Sequence, residues 1–201
     1  KLFNNRNYIY GVIAQAFNVG CQIMCWTYIF QYVDNLNESL GSNLVATNFN
    51  ITAMISFLSG RWIGTALMKR INPSKMLMYF GLGGILCSLG TIILPGLIGL
   101  ISLVGISTFM SIMFPTIYGI SLKGMGEESK IGSAGLVMAI VGGALMPVAQ
   151  GWILDWGGDG LDDLEIFGFI PEIRFSFILP LICLSVVSYY GFLTIKTHTS
   201  K

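Results

Sequence analysis

Apolar residues run in six long blocks, 8–32, 46–67, 74–94, 97–122, 131–154 and 175–195, separated by shorter polar stretches. Each block reaches the roughly 20 residues a helix needs to cross a hydrocarbon core about 30 Å thick. The pattern predicts an all-α membrane protein of six transmembrane helices. Most polar residues inside the blocks fall three or four positions apart, which gathers them on single helix faces.

In the first block Gln15, Asn18, Gln22 and Trp26 follow at steps of three, four and four. Amides are costly in hydrocarbon unless they meet partners or water. The face predicts an aqueous cavity in which amides bond a solute's hydroxyls and Trp26 offers an apolar surface to a ring. Bonding between helices is the alternative use of the same residues. In the fourth block Ser107, Ser111, Phe114, Tyr118 and Ser121 recur at steps of four and three. This stripe suits a cavity, or else hydroxyls bonded to their own helix backbone. The fifth block is rich in small residues, and Ala139 with Gly143 makes a small-xxx-small pair that admits a close neighbour. Together the fourth and fifth blocks read as a hairpin of one cavity-lining and one packing helix.

The remaining blocks set the frame. Arg61, between Gly60 and Gly64, sits two turns from the end of the second block. An ionisable residue in a span is a functional candidate, here a conformational latch, with snorkelling to the interface as the alternative. The third block is oily all round apart from Cys87, Ser88 and Thr91, so it is expected to face lipid. Pro95-Gly96 forces the third and fourth spans into an antiparallel pair. Pro147 predicts a kink in the fifth. The stretch 34–43 reads as a polar loop, and 155–172 as a solvated acidic surface without the spacing of a calcium loop.

Composition agrees with a membrane protein. Charged residues are 10% of the chain, against about 25% in soluble domains, and mean hydropathy is +0.73. A net charge of +1 gives no reason to expect nucleic acid. Of the 11 Lys and Arg residues, all but Arg174 fall on the side holding both termini and the loops near 68–75 and 123–130. That asymmetry predicts cytoplasmic termini in a plasma (inner) membrane, with the lipid bilayer as a partner. Cys21, Cys25, Cys87 and Cys183 lie within apolar blocks and read as small core residues. No metal or cofactor site is expected, and His198 reads as an exposed tail residue. No nucleophile has a visible base, so an enzyme is not expected. The chain opens KLFNN, without Met or a signal peptide, and reads as a piece of a longer protein.

Several stretches carry a family resemblance. GWILDWGG resembles the G-x-x-x-D-x-x-G signature of the major facilitator superfamily, and GRWIGTALMKRINPSK its basic cytoplasmic motif. IAQAFNVGCQIMCWTYIFQY and MSIMFPTIYGISLKGMGEESKIGSAGLVMAIVGGALMP resemble the C-terminal half of the fucose permease family more specifically. The resemblance implies that residues 1–201 form a C-terminal six-helix half whose N-terminal partner half is absent. It implies alternating-access transport of a monosaccharide, L-fucose or a related hexose, coupled to protons through acids of that other half. Gln15, Asn18, Gln22, Trp26, Phe114 and Tyr118 would touch the sugar. The sequence departs from the family pattern at Phe114, where Tyr is common, and at Asn18, where an aromatic stands. Other members of the family carry glucose or galactose. A facilitator of another small solute, or a non-transporting sugar receptor, would share the fold.

Overall fold

The computed structural model describes residues 5–155, 165–166 and 170–199, without the side chains of 165, 166 and 196–199. The last residues of GWILDWGG, the acids Asp159, Asp162 and Asp163, the side chains of Glu165, Lys196 and His198, and both terminal lysines lie outside the described residues.

Helix α1 (Arg6–Leu40) begins where Asn5 accepts from the Tyr8 N–H, and ends at Gly41, whose φ of 60° turns the chain left-handed. Its 35 residues extend about 52 Å, well past a ~30 Å hydrocarbon core. The expected loop at 34–43 is therefore mostly helix. Polar side chains do not break a helix that has emerged from lipid. Asn37 then ties the turn: it accepts from Leu44 N–H at 2.8 Å and Ser42 Oγ at 2.9 Å, and donates to the Leu44 carbonyl at 2.9 Å.

Helix α2 (Ala46–Leu67) has the bounds of the second block. Asn72 caps α3 (Pro73–Ile93), with Pro73 in the first turn where a missing N–H costs nothing. The fourth block becomes two helices, α4 (Gly96–Met110) and α5 (Met113–Leu122). The fifth becomes a 3-10 turn (Gly126–Glu128), α6 (Ser129–Met138), a second 3-10 turn (Ala139–Val141) and α7 (Gly142–Leu154). A two-residue antiparallel pair, β1 (Glu165–Ile166) with β2 (Ile170–Pro171), leads into α8 (Glu172–Ser176) and α9 (Ile178–Thr199).

Among the described residues, 5 helical stretches are long and apolar enough to cross a membrane: Arg6–Leu40, Pro73–Ile93, Gly96–Leu122, Gly126–Leu154 and Glu172–Ile195. Helix α2 has the length, at 22 residues, but Asn48, Asn50, Thr52, Ser59 and Arg61 dilute its apolar surface.

Helix α1 is the hub, packing against α2, α4, α5, α7 and α9, while α3 packs on α4 and α9. In lipid the drive for such packing is close approach, because hydrocarbon is as apolar as the helices themselves. A Cβ on Gly142 would collide with the Ala16 carbonyl, and one on Gly143 would lie 2.9 Å from Val19 Cγ1. Ala139, just before them, is buried. The small residues of the fifth block thus seat it on α1, as their spacing predicts.

Helix α3 is two-faced, contrary to the lipid-facing expectation. Tyr79, Leu82, Leu86, Leu89 and Ile93 are exposed along one stripe, but Met76, Leu77 and Ser88 are buried. Ser88 Oγ donates to the Phe177 carbonyl at 3.2 Å. Its hydroxyls, Ser88 and Thr91, lie on the buried side, while the apolar residues carry no such mark, since both lipid and core accept them.

The fifth block is expected to kink at Pro147. Pro147 sits within α7, and the helix leaves α geometry earlier, at Ala139–Val141. The Pro147 carbonyl accepts from the Tyr28 hydroxyl at 2.7 Å, which fastens this segment to α1.

Candidate functional site

Gln15, Asn18 and Gln22 share one face of α1, and that face turns into the helix bundle. Gln15 and Asn18 are 0% exposed and Gln22 is 9% exposed. Both polar side-chain atoms of Gln15 and of Asn18, and Nε2 of Gln22, have no hydrogen-bond partner. Gln15 and Asn18 thus neither reach an open surface nor bond their neighbours. Such buried, unmet polar groups are rare, because each forgoes its hydration without recompense.

Trp26 continues the same face and is half-buried. Its Nε1 donates to Ser107 Oγ at 3.2 Å, and its ring meets Phe57 edge-on, 5.2 Å between centroids at 80°. Asn50 Nδ2 donates to the Trp26 carbonyl at 3.0 Å, so α2 holds α1 at this level.

The hydroxyl stripe of the fourth block divides. Phe114 and Tyr118 are half-buried on α5. Ser107, Ser111 and Ser121 are buried instead of lining an open cavity. Ser111 Oγ donates to the Thr108 carbonyl at 2.6 Å and Ser121 Oγ to the Ile117 carbonyl at 2.7 Å, the local bonding that short hydroxyls favour. Ser121 also pairs with the Tyr190 hydroxyl at 2.9 Å.

Arg61 does not simply extend to the interface. Its Nε donates to the Ser111 carbonyl at 3.1 Å and its guanidinium lies 5.0 Å from the Phe57 ring centroid. Gly60 and Gly64 are buried against the α4–α5 junction, Gly60 facing the Thr108 carbonyl and Gly64 the Ile112 side chain. Phe57 and Asn50 join this cluster without being foreseen in the sequence, while Ser107, a member of the hydroxyl stripe, meets Trp26 in it. The spacing of Phe57 four residues before Arg61 was the available signal.

A cavity of about 390 Å³ lies between the α2–α3 turn and α5, lined by Met68, Asn72, Pro73, Thr116, Gly119 and Lys123. None of the six candidate solute residues borders it. Among the acids with described side chains, Asp34, Glu38, Glu127 and Asp155 are exposed and Glu128 is half-buried. Glu172 is 1% exposed at the start of α8. The expectation of a wholly solvated acidic surface at 155–172 fails at this residue, because α8 folds back against α1, α3 and α7.

No protein-family model matches the chain. An L-fucose-proton symporter of Haemophilus influenzae is 53% identical over 192 residues, 96% of this chain and 42% of that protein. An L-fucose-proton symporter of Escherichia coli is 30% identical over 200 residues, 100% of this chain and 42% of that protein. A crystal structure of the major facilitator superfamily transporter FucP in the outward conformation superposes with a TM-score of 0.81 at 29% identity, over 94% of this chain and 42% of that one. The chain belongs to the fucose permease family of the major facilitator superfamily. It is an integral membrane protein. A glucose/galactose transporter of Brucella abortus is also 30% identical over 197 residues, 96% of this chain and 43% of that protein. The chain therefore spans less than half the length of these fucose permease relatives, all of which are transporters and not enzymes.

Proposed function

We propose that residues 1–201 are the C-terminal six-helix half of a monosaccharide/proton symporter, with L-fucose or a related hexose as solute and alternating access as mechanism. The carrying observation is the 53% identity to an L-fucose-proton symporter over 96% of this chain. Helix α2 serves as the sixth span, its polar face turned to α1 and α4 or to the partner half. Sugar binds between the two halves at mid-membrane, near Trp26, Phe114 and Tyr118, with Gln15, Asn18 and Gln22 behind them on α1. Arg61, Gly60, Gly64 and Pro147 serve conformational exchange. The Brucella relative's name supports glucose or galactose as second candidates. Sugar uptake by the full-length protein in vesicles, across a panel of hexoses, tests the reading. Binding without accumulation would make it a receptor, and accumulation without proton movement a facilitator.

The excess of basic residues on one side supports cytoplasmic termini in a plasma (inner) membrane. Single cysteines at Asn43 and Asn72, both exposed, should respond oppositely to an impermeant thiol reagent in intact cells. Labelling of Asn43→Cys alone is expected, and labelling of Asn72→Cys alone would invert the orientation.

Proton coupling is assigned to carboxylates of the other half. Coupling needs an acid that gains and loses a proton at membrane depth. Apart from Glu172, the acids with described side chains are exposed or half-buried at the ends of the helices. Glu172 is the sharpest test because it is buried, although it stands at the end of the bundle beside the β1–β2 pair. Glu172→Gln in the full-length protein is expected to retain proton-driven sugar accumulation. Loss of accumulation with sugar exchange preserved would make Glu172 the coupling acid.

A further inference from the structure

In an α-helix the carbonyl of residue 111 accepts from the N–H of residue 115. Residue 115 is proline and has no N–H to give. The chain leaves α geometry at that carbonyl: α4 ends at Met110, Ile112 has φ −100° and ψ −8°, and α5 begins at Met113. The orphaned Ser111 carbonyl takes its donor from another helix, Arg61 Nε on α2 at 3.1 Å. Its neighbours are served locally. Ser111 Oγ donates to the Thr108 carbonyl at 2.6 Å, and Thr116 donates to the Ile112 carbonyl from both N at 3.1 Å and Oγ1 at 2.6 Å. One bond across the break therefore depends on α2, and buried Gly60 and Gly64 bring α2 close enough to make it.

The clamp is also connected to α1. The Arg61 guanidinium rests 5.0 Å from the Phe57 centroid, Phe57 meets Trp26 edge-on at 5.2 Å, and Trp26 Nε1 reaches Ser107 Oγ at 3.2 Å, one turn before Ser111. Trp26, Phe57, Arg61, Ser111 and Ser107 thus close a ring through three helices.

We propose that the α4–α5 break is a hinge whose angle is held by the Arg61 donor on the Ser111 carbonyl, and that Phe57 couples this clamp to Trp26. A solute biases a conformational equilibrium only through contacts that differ between its states. A Trp26 ring that turns to meet a sugar changes its edge contact with Phe57 and its bond to Ser107, and so alters the seat of the Arg61 guanidinium. Arg61 and Phe57 are positioning residues here. The hinge follows from this chain's own geometry, while the part played by sugar rests on the transport reading above.

Pro115→Ala restores an N–H able to serve the Ser111 carbonyl, which makes the clamp testable by a double-mutant cycle in the full-length protein. Arg61→Met keeps the apolar stem and removes the donor. It is expected to lower the thermal midpoint in the Pro115 protein and to lower it far less in the Pro115→Ala background. Equal losses in the two backgrounds would overturn the clamp, and this arm needs no solute. In proteoliposomes, Arg61→Met and Phe57→Leu are each expected to slow sugar exchange roughly tenfold, with equilibrium sugar affinity within about threefold. Phe57→Leu should add little once Arg61→Met is present. Independent, multiplying effects on exchange, or a collapse of affinity in either variant, would overturn the coupling. A wild-type protein that moves no sugar would overturn the transport reading, leaving the stability cycle to judge the hinge.

Discussion

Gly142→Ala is expected to drive α7 off α1 and leave little monodisperse protein in detergent. The added methyl would collide with the Ala16 carbonyl oxygen, and would lie 2.7 Å from the Ala16 carbonyl carbon. Both atoms are backbone of a long helix, which cannot yield by rotating a side chain. Overpacking of this kind costs about 1–3 kcal/mol, and more where the backbone must shift. In lipid there is little to offset it, because helices that separate bury their apolar surface in hydrocarbon instead. The neighbouring position provides the contrast. A Cβ at Gly143 would meet Val19 Cγ1 at 2.9 Å and Ile23 Cγ1 at 3.1 Å. Both are side-chain and not backbone atoms; Val19 is buried and stiff at χ1, but Ile23 is exposed and can turn aside. Gly143→Ala is expected to fold, with a thermal midpoint only a few degrees lower. Equal behaviour of the two variants in thermal unfolding and size-exclusion profiles would show that the α1–α7 seat does not depend on backbone approach.

The helices were largely legible because crossing lipid imposes a length that hydrophobic runs record directly. Pro73–Ile93 follows from that constraint, the turn at Pro95-Gly96 was legible from the two residues themselves, and Ala46–Leu67 kept its bounds although polar residues dilute its apolar surface. The direction each helix faces was less legible. In a soluble protein the apolar stripe marks the core, but here lipid and core accept the same side chains. Met76 and Leu77 are buried while Leu82 and Leu86 are exposed, and among these apolar residues polarity does not announce which is which; the signal lay in Ser88 and Thr91, both buried. The amides of α1 show the same limit in reverse. Their spacing places them on one face, but periodicity cannot say whether that face meets water or other helices. The hinge at Ser111 was written in the sequence as Pro115, four residues on. Its donor, Arg61, is fifty residues away in sequence and enters only through tertiary packing.

Gln15→Met with Asn18→Leu is expected to make the full-length protein more stable and unable to bind its sugar. Both residues are 0% exposed, and none of their four polar side-chain atoms has a partner. An unmet buried polar group costs about 1–3 kcal/mol, and replacement by an apolar group of similar shape removes that cost. Met and Leu keep close to the native volumes, so the helix packing around α1 should survive. The thermal midpoint should therefore rise. Residues that weaken the fold in this way are expected where function uses them. Here the use is the proposed sugar site, whose hydroxyls can both donate to and accept from amides when the halves and helices rearrange around solute. Loss of one such bond lowers affinity roughly tenfold to a hundredfold, and loss of several abolishes measurable binding. The informative result is the opposition: higher stability together with lost equilibrium sugar binding. Lower stability with binding intact would make the amides packing elements that bond between helices in lipid. Higher stability with binding intact would remove Gln15 and Asn18 from the site and leave Trp26, Phe114 and Tyr118 to carry recognition from this half.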